Sequence, residues 1–125
     1  MISLLFAALL ASGQPHGPVV HATDVKSDAL DDLTERFADA LRKALPTAKH
    51  MRLETGDDTD DLFLTVLFPV EVDGKHFSYA VDLLKAEPYL PPERIVSFTG
   101  SCRTAAIDAC AQDLVSKADK QAKED

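Results

Sequence analysis

The dipeptide Asp73-Gly74 stands between two long runs in which apolar and polar residues alternate, 62–72 and 75–85. A two-residue hairpin turn needs positive φ at both positions, which Asp and Gly tolerate, and its twist suits antiparallel strands. The pattern therefore predicts a β-hairpin with Val72 opposite Lys75. Counting outward pairs Val70 with Phe77, Phe68 with Tyr79, Val66 with Val81 and Leu64 with Leu83, and these eight share one face. The other face is mixed: Glu71 pairs with His76, Pro69 with Ser78, Leu67 with Ala80, Thr65 with Asp82 and Phe63 with Leu84. A slip of one residue would exchange the two faces, so the pattern sets register as well as strand identity.

An apolar sheet face of this size has to be covered, and two segments have helical spacing. In 27–45, Leu30, Leu33, Phe37, Leu41, Ala44 and Leu45 make one stripe. Ser27 is the expected cap, Asp28, Asp31 and Asp32 suit the positive end of the helix dipole, and Pro46 stops the run. In 105–122, Ile107, Cys110, Ala111, Leu114 and Ala118 make a second stripe. A short strand at 49–54 should cover only the beginning of the 62–72 strand. That leaves Pro69, which has no N–H to donate, on an unpaired edge. A stiff connection at 87–92 leads to a last strand at 94–102, with Val96, Phe98, Gly100 and Cys102 on one side. The expected fold class is α+β: a four-stranded, mainly antiparallel sheet with one N-terminal and one C-terminal helix packed on one face.

Cys102 and Cys110 are the two cysteines of the chain. The strand period points Cys102 at the helical layer, and the helix period points Cys110 back at the sheet. A disulfide is expected, closing a short loop and stabilising the fold by about 2.5 kcal/mol in the chain-entropy model. It also implies an oxidising compartment. The amino terminus agrees, because residues 1–11 are an uncharged apolar run of signal-peptide length, too short to span a bilayer. Ala11 and Gly13 form a small-x-small cleavage site before Gln14, and Val20-His21-Ala22 offers a later one. The expected organisation is a signal peptide at 1–13 (at the latest 1–22), a flexible lead-in at 14–26, one domain at 27–120 and a charged tail at 121–125. No Cys follows the apolar run to carry a lipid anchor, and no other segment is apolar enough to cross a membrane.

A net charge of −8 with no basic cluster disfavours nucleic acid and anionic membranes as partners. The stretch 55–61, with Gly56 and four aspartates, lacks the spacing of a calcium-binding EF-hand loop and reads as a solvated acidic turn. His16 and His21 lie on the lead-in, and His76 reads as the cross-strand partner of Glu71. No nucleophile with its base, phosphate-binding glycine loop or metal-ligand spacing stands out, so no catalytic, cofactor or metal residues are assigned.

The order of elements from Leu33 to Ala118 resembles the small α/β envelope domains typified by the TolB amino-terminal domain and LpoB-type lipoproteins. The likeness lies in the helix running into Met51–Glu54, in Asp60-Asp61-Leu62-Phe63-Leu64 opening a strand, and in Val81-Asp82-Leu83-Leu84-Lys85-Ala86. Ile95-Val96-Ser97-Phe98-Thr99-Gly100 before the last helix completes it. The resemblance implies a non-catalytic role in protein contacts of a bacterial cell envelope, in the periplasm or secreted. With both helices on one face, Phe63, Leu67, Leu84 and Ile95 form the candidate partner face, for an envelope protein or for a homodimer. The alternative functions are a small secreted hydrolase, for which His50 and His76 with nearby carboxylates would be the residues, or an inhibitor or immunity-type protein.

Overall fold

The computed structural model describes residues 20–27, 31–54, 61–67, 70–71, 74–87 and 89–124. The expected leader, the lead-in as far as residue 19 with His16, the acidic stretch 55–60, and Phe68, Pro69, Val72 and Asp73 lie outside them. In chain order the elements are β1 (His21–Ser27), α1 (Asp32–Ala44), a 3-10 turn (Leu45–Thr47), β2 (Met51–Leu53) and β3 (Leu62–Val66). Then come β4 (Val70–Glu71), β5 (His76–Glu87), β6 (Leu90–Arg103), a second 3-10 turn (Thr104–Ala106) and α2 (Ile107–Glu124).

Across the sheet the order is β2-β1-β3-β5-β6, with β4 following β3 along the same edge of β5. β1 runs parallel to both β2 and β3, and the remaining pairs are antiparallel. The fold is therefore α+β with two helices, but its sheet is mixed and five strands wide instead of four and mainly antiparallel. The added strand is β1, formed by residues expected to be flexible. It sets His21 beside Met51, Thr23 beside Leu62 and Val25 beside Leu64. Its core-facing positions include two polar residues, so the apolar alternation that marks a strand is missing. Thr23 is fully buried, and its hydroxyl donates to the His21 carbonyl at 3.0 Å, which removes the penalty of burying it. β1 also separates β2 from β3, so the short strand does not cover the start of the hairpin.

The hairpin keeps its expected register where β3 meets β5: Phe63 faces Leu84, Leu64 faces Leu83, Thr65 faces Asp82 and Val66 faces Val81. Nearer the turn it is one residue off, with Glu71 opposite Phe77 and Val70 opposite Ser78. A two-residue turn would have placed Glu71 opposite His76; on its other edge, His76 pairs with Arg103 of β6. The first strand carries one extra residue between Val66 and Val70, and this offset cancels the longer turn. Gly74 has φ +79°, the left-handed conformation the turn requires.

α1 is capped by Asp31, not Ser27. The Asp31 carboxylate accepts from the Thr34 amide at 2.9 Å and from the Thr34 hydroxyl at 2.6 Å. Ser27 ends β1, and its hydroxyl donates to Glu35 at 2.7 Å. Phe37, Leu41 and Leu45 from the first helical segment and Leu114, Val115 and Ala118 from α2 pack on one sheet face. They meet Val25, Leu64, Val66, Phe77, Val81 and Leu83 in a single core. Ala122 is buried in it too, so α2 continues to Glu124 where a charged tail was expected.

Candidate interaction surfaces

The disulfide joins Cys102 at the end of β6 to Cys110 in α2, with 6.2 Å between the α-carbons. It closes the link between the edge strand and the helix above it, as the two sequence periods require. Asp119, which no sequence pattern singled out, makes a second tie. Its carboxylate accepts from the backbone amides of Lys49 and His50, at 3.1 and 2.7 Å, and so anchors the approach to β2 onto α2.

The uncovered sheet face contains part of the expected partner cluster. Phe63 and Leu84 are directly opposed and half-buried. The Lys26 ammonium lies 4.5 Å from the centre of the Phe63 ring and shields it in a cation–π contact. Leu67 is also half-buried, and its amide donates to Ala80 at 2.9 Å. Thr65 and Asp82 stand between Leu67 and the Phe63–Leu84 pair, so the three do not merge into one patch. Ile95 does not join them, because β6 shifts register between Leu83 and Leu84 and Ile95 is the extra residue. It packs against the core instead. The rest of this face is polar, and Ser97 of β6 donates a hydrogen bond to Asp82.

The exposed apolar side chains lie elsewhere. β3 pairs with β5 only as far as Lys85, whereas β5 and β6 go on to the pair Glu87–Leu90. The Ala86 amide still donates to the Asp61 carbonyl at 2.8 Å, and the Glu87–Leu90 pair lies one residue further along β5. At the tip Tyr89 is fully exposed and Leu90 is 66% exposed. Tyr89 also has φ 64°, a conformation ordinarily left to glycine. The sequence signal was Pro88-Tyr89-Leu90-Pro91-Pro92, where an aromatic and a leucine stand among prolines. It reads as a stiff connection when only the prolines are weighed.

His21 and His50 meet at one end of the sheet, where the His21 amide donates to the His50 carbonyl at 2.8 Å, and His76 lies apart from them. His50 leads into β2 on one edge, at the end of the sheet where β1 starts. His76 starts β5 at the opposite end. His21 is buried, with Nδ1 3.4 Å from a carboxylate oxygen of Asp61. The acidic stretch read as a solvated turn lies outside the described residues except for Asp61. Among the described residues no helix is long and apolar enough to cross a membrane.

No known protein family matches the sequence, and no curated protein does. Among solved structures the fold is similar to a single-residue variant of PelC from Paraburkholderia phytofirmans, described as a dodecamer, with a TM-score of 0.50 and 13% identity. The alignment covers 87% of this chain and 93% of that one. At this identity the likeness concerns the fold.

Proposed function

We propose that the chain is an exported, non-catalytic protein-binding module of a bacterial cell envelope, and that its first partner is a second copy of itself. The observation that carries this reading is the β5–β6 tip, where Tyr89 and Leu90 are held in the open by a two-stranded support. A Tyr in the left-handed region costs about 1 kcal/mol or more, so the fold tolerates strain in order to place an aromatic there. Rigid aromatic side chains lose little entropy on binding and are frequent anchors of interfaces. The disulfide and the apolar amino-terminal run both suit an oxidising, exported setting. The similarity to PelC, solved as a dodecamer, supports self-assembly as the mode of action. The element order that resembles the TolB and LpoB-type domains supports the same setting.

The test is the mass of the exported protein by analytical ultracentrifugation. The expected result is an assembly of several copies, broken by Tyr89→Gly with Leu90→Ser. Because glycine relieves the backbone strain, Tyr89→Gly should leave thermal stability unchanged or raised while association falls. A wild-type protein that stays monomeric at every concentration overturns the proposal.

A further inference from the structure

The two lateral edges of the sheet are protected unequally. β2, on one edge, is three residues long, and so short an edge offers little to another strand. β6, on the other, is 14 residues long and has no strand along its outer side among the described residues. Its ends carry the features that ordinarily blunt an edge. Pro91, Pro92, Glu93 and Arg94 come first, the register shift at Ile95 follows, and Arg103 stands at the far end. Between them, residues 95–102 hold no charge and no proline.

The ladder fixes which main-chain groups of β6 face outward. The Thr104 amide donates to the Lys75 carbonyl at 2.8 Å, one step beyond the Arg103–His76 pair. Hydrogen-bonded and non-hydrogen-bonded pairs alternate along an antiparallel ladder. Cys102, Gly100, Phe98 and Val96 therefore bond to β5, and the amides and carbonyls of Ser97, Thr99 and Ser101 point away from it. The far side of β5 agrees, because Ala80, opposite Thr99, turns its carbonyl to the Leu67 amide just beyond β3.

The side chains at this edge are incompletely covered as well. Val96 and Phe98 pack against the core, yet both stay half-buried, because no further strand lies beside them among the described residues. Ser97, Thr99 and Ser101 on the other face are exposed. A neighbouring strand would meet apolar side chains on one face, short hydroxyls on the other and a row of main-chain donors and acceptors between.

We infer that a second copy of the chain pairs here, β6 antiparallel to β6, so that one sheet runs through both copies across a twofold axis at Thr99. This rests on the self-association proposed above and gives it a second contact. A twofold normal to the sheet keeps the core-facing side chains of both copies on one side. Centring it on Thr99 keeps the paired stretch within 96–102, clear of the register shift and of Glu93 and Arg94. Thr99 then opposes Thr99 and Ser97 opposes Ser101, the residues whose main-chain groups point outward. On the core side Phe98 of each copy opposes Gly100 of the other, where the glycine leaves room for the ring, and Val96 opposes Cys102. No like charges oppose each other. The edge is its own complement, and pairing covers the unguarded run of both copies at once. A twofold pair closes at two copies, and the Tyr89–Leu90 tips lie outside it, where they link pairs into a larger assembly.

Amide hydrogen exchange of the full, oxidised protein, read beside analytical ultracentrifugation over a range of concentrations, tests the pairing. In the assembled protein the Ser97, Thr99 and Ser101 amides should exchange slowly. On dilution to the monomer they should exchange at least tenfold faster, while the Phe98 and Gly100 amides stay protected. Thr99→Lys sets two ammonium groups face to face at the axis and should weaken pairing at least tenfold. Ser116→Lys, on α2, adds the same charge away from the edge and should leave pairing unchanged. Thr99 is exposed, so the variant should fold. If circular dichroism shows that it does not, Ser101→Lys is read in its place. A protein that is monomeric at every concentration overturns self-association and this pairing with it. An assembly whose three amides exchange freely, or in which the lysine leaves their protection intact, overturns the pairing alone. Protection that persists in the monomer assigns the edge to the chain's own residues and overturns the pairing too.

Discussion

Tyr79 lies across Gly100, the residue directly opposite it on β6, and its ring fills the place where any other residue would have a side chain. A β-carbon on Gly100 would come within 2.7 Å of the Tyr79 hydroxyl oxygen. The same ring packs on Phe37 of α1 at 5.1 Å between centroids, so the glycine lets β5, β6 and α1 share one aromatic contact.

Gly100→Ala should therefore displace the Tyr79 ring and destabilise the protein by about 1 kcal/mol or somewhat more. Urea unfolding measures this. In a Tyr79→Leu background the same substitution should cost less, and a double-mutant cycle reads the difference. Equal costs in both backgrounds would mean that the ring is not what Gly100 accommodates.

Reducing the Cys102–Cys110 bond should lower stability by about 2.5 kcal/mol, because it restores freedom to the unfolded chain. Urea unfolding with and without dithiothreitol checks the value. The Cys102→Ala, Cys110→Ala variant should match the reduced protein and ignore the reductant.

The Asp31 cap predicts a pH dependence at the start of α1. The hydrogen bond from the Thr34 hydroxyl, followed by that from the Thr34 amide, holds the Asp31 carboxyl below its ordinary value of 3.8. A lowered folded-state value stabilises the native state above the unfolded-state value, and the effect disappears as pH falls through the folded-state value. Asp31→Ala should melt below wild type at pH 7, and the difference between the two should shrink steadily as the solution is acidified below pH ~4. A gap that stays constant down to the most acidic condition would show that the ionised carboxylate is not what the cap depends on.

Export should remove the leader before Gln14 and not after Ala22. The later cut would take away His21 and Ala22, which β1 pairs with Met51 and Arg52. It would also remove the Ala22 carbonyl that accepts from the Asp61 amide at 2.8 Å. Amino-terminal sequencing of the exported protein should start at Gln14, and a start at Thr23 would refute this.

How far the sequence could be read depended on whether neighbouring residues carried the signal. The β3–β5 register followed from alternation, and the Cys102–Cys110 pairing followed from two independent periods. β1 was missed because His21 and Thr23 occupy core-facing positions that usually hold aliphatic residues. The one-residue difference in register at Val70 was missed because it leaves the pairs from Phe63 to Val66 as alternation predicts. Ile95 was assigned to the wrong face for a related reason: an extra residue on an edge strand reverses the alternation locally.

The position of β1 also bears on the order in which the fold can form. It is the first element among the described residues, yet its partners β2 and β3 are made later. Both strands that pair with it along its edges follow it in the chain. The sheet stays without its centre until the Leu62–Val66 segment has followed. A chain built in this order cannot close its sheet until about half of its length has been made.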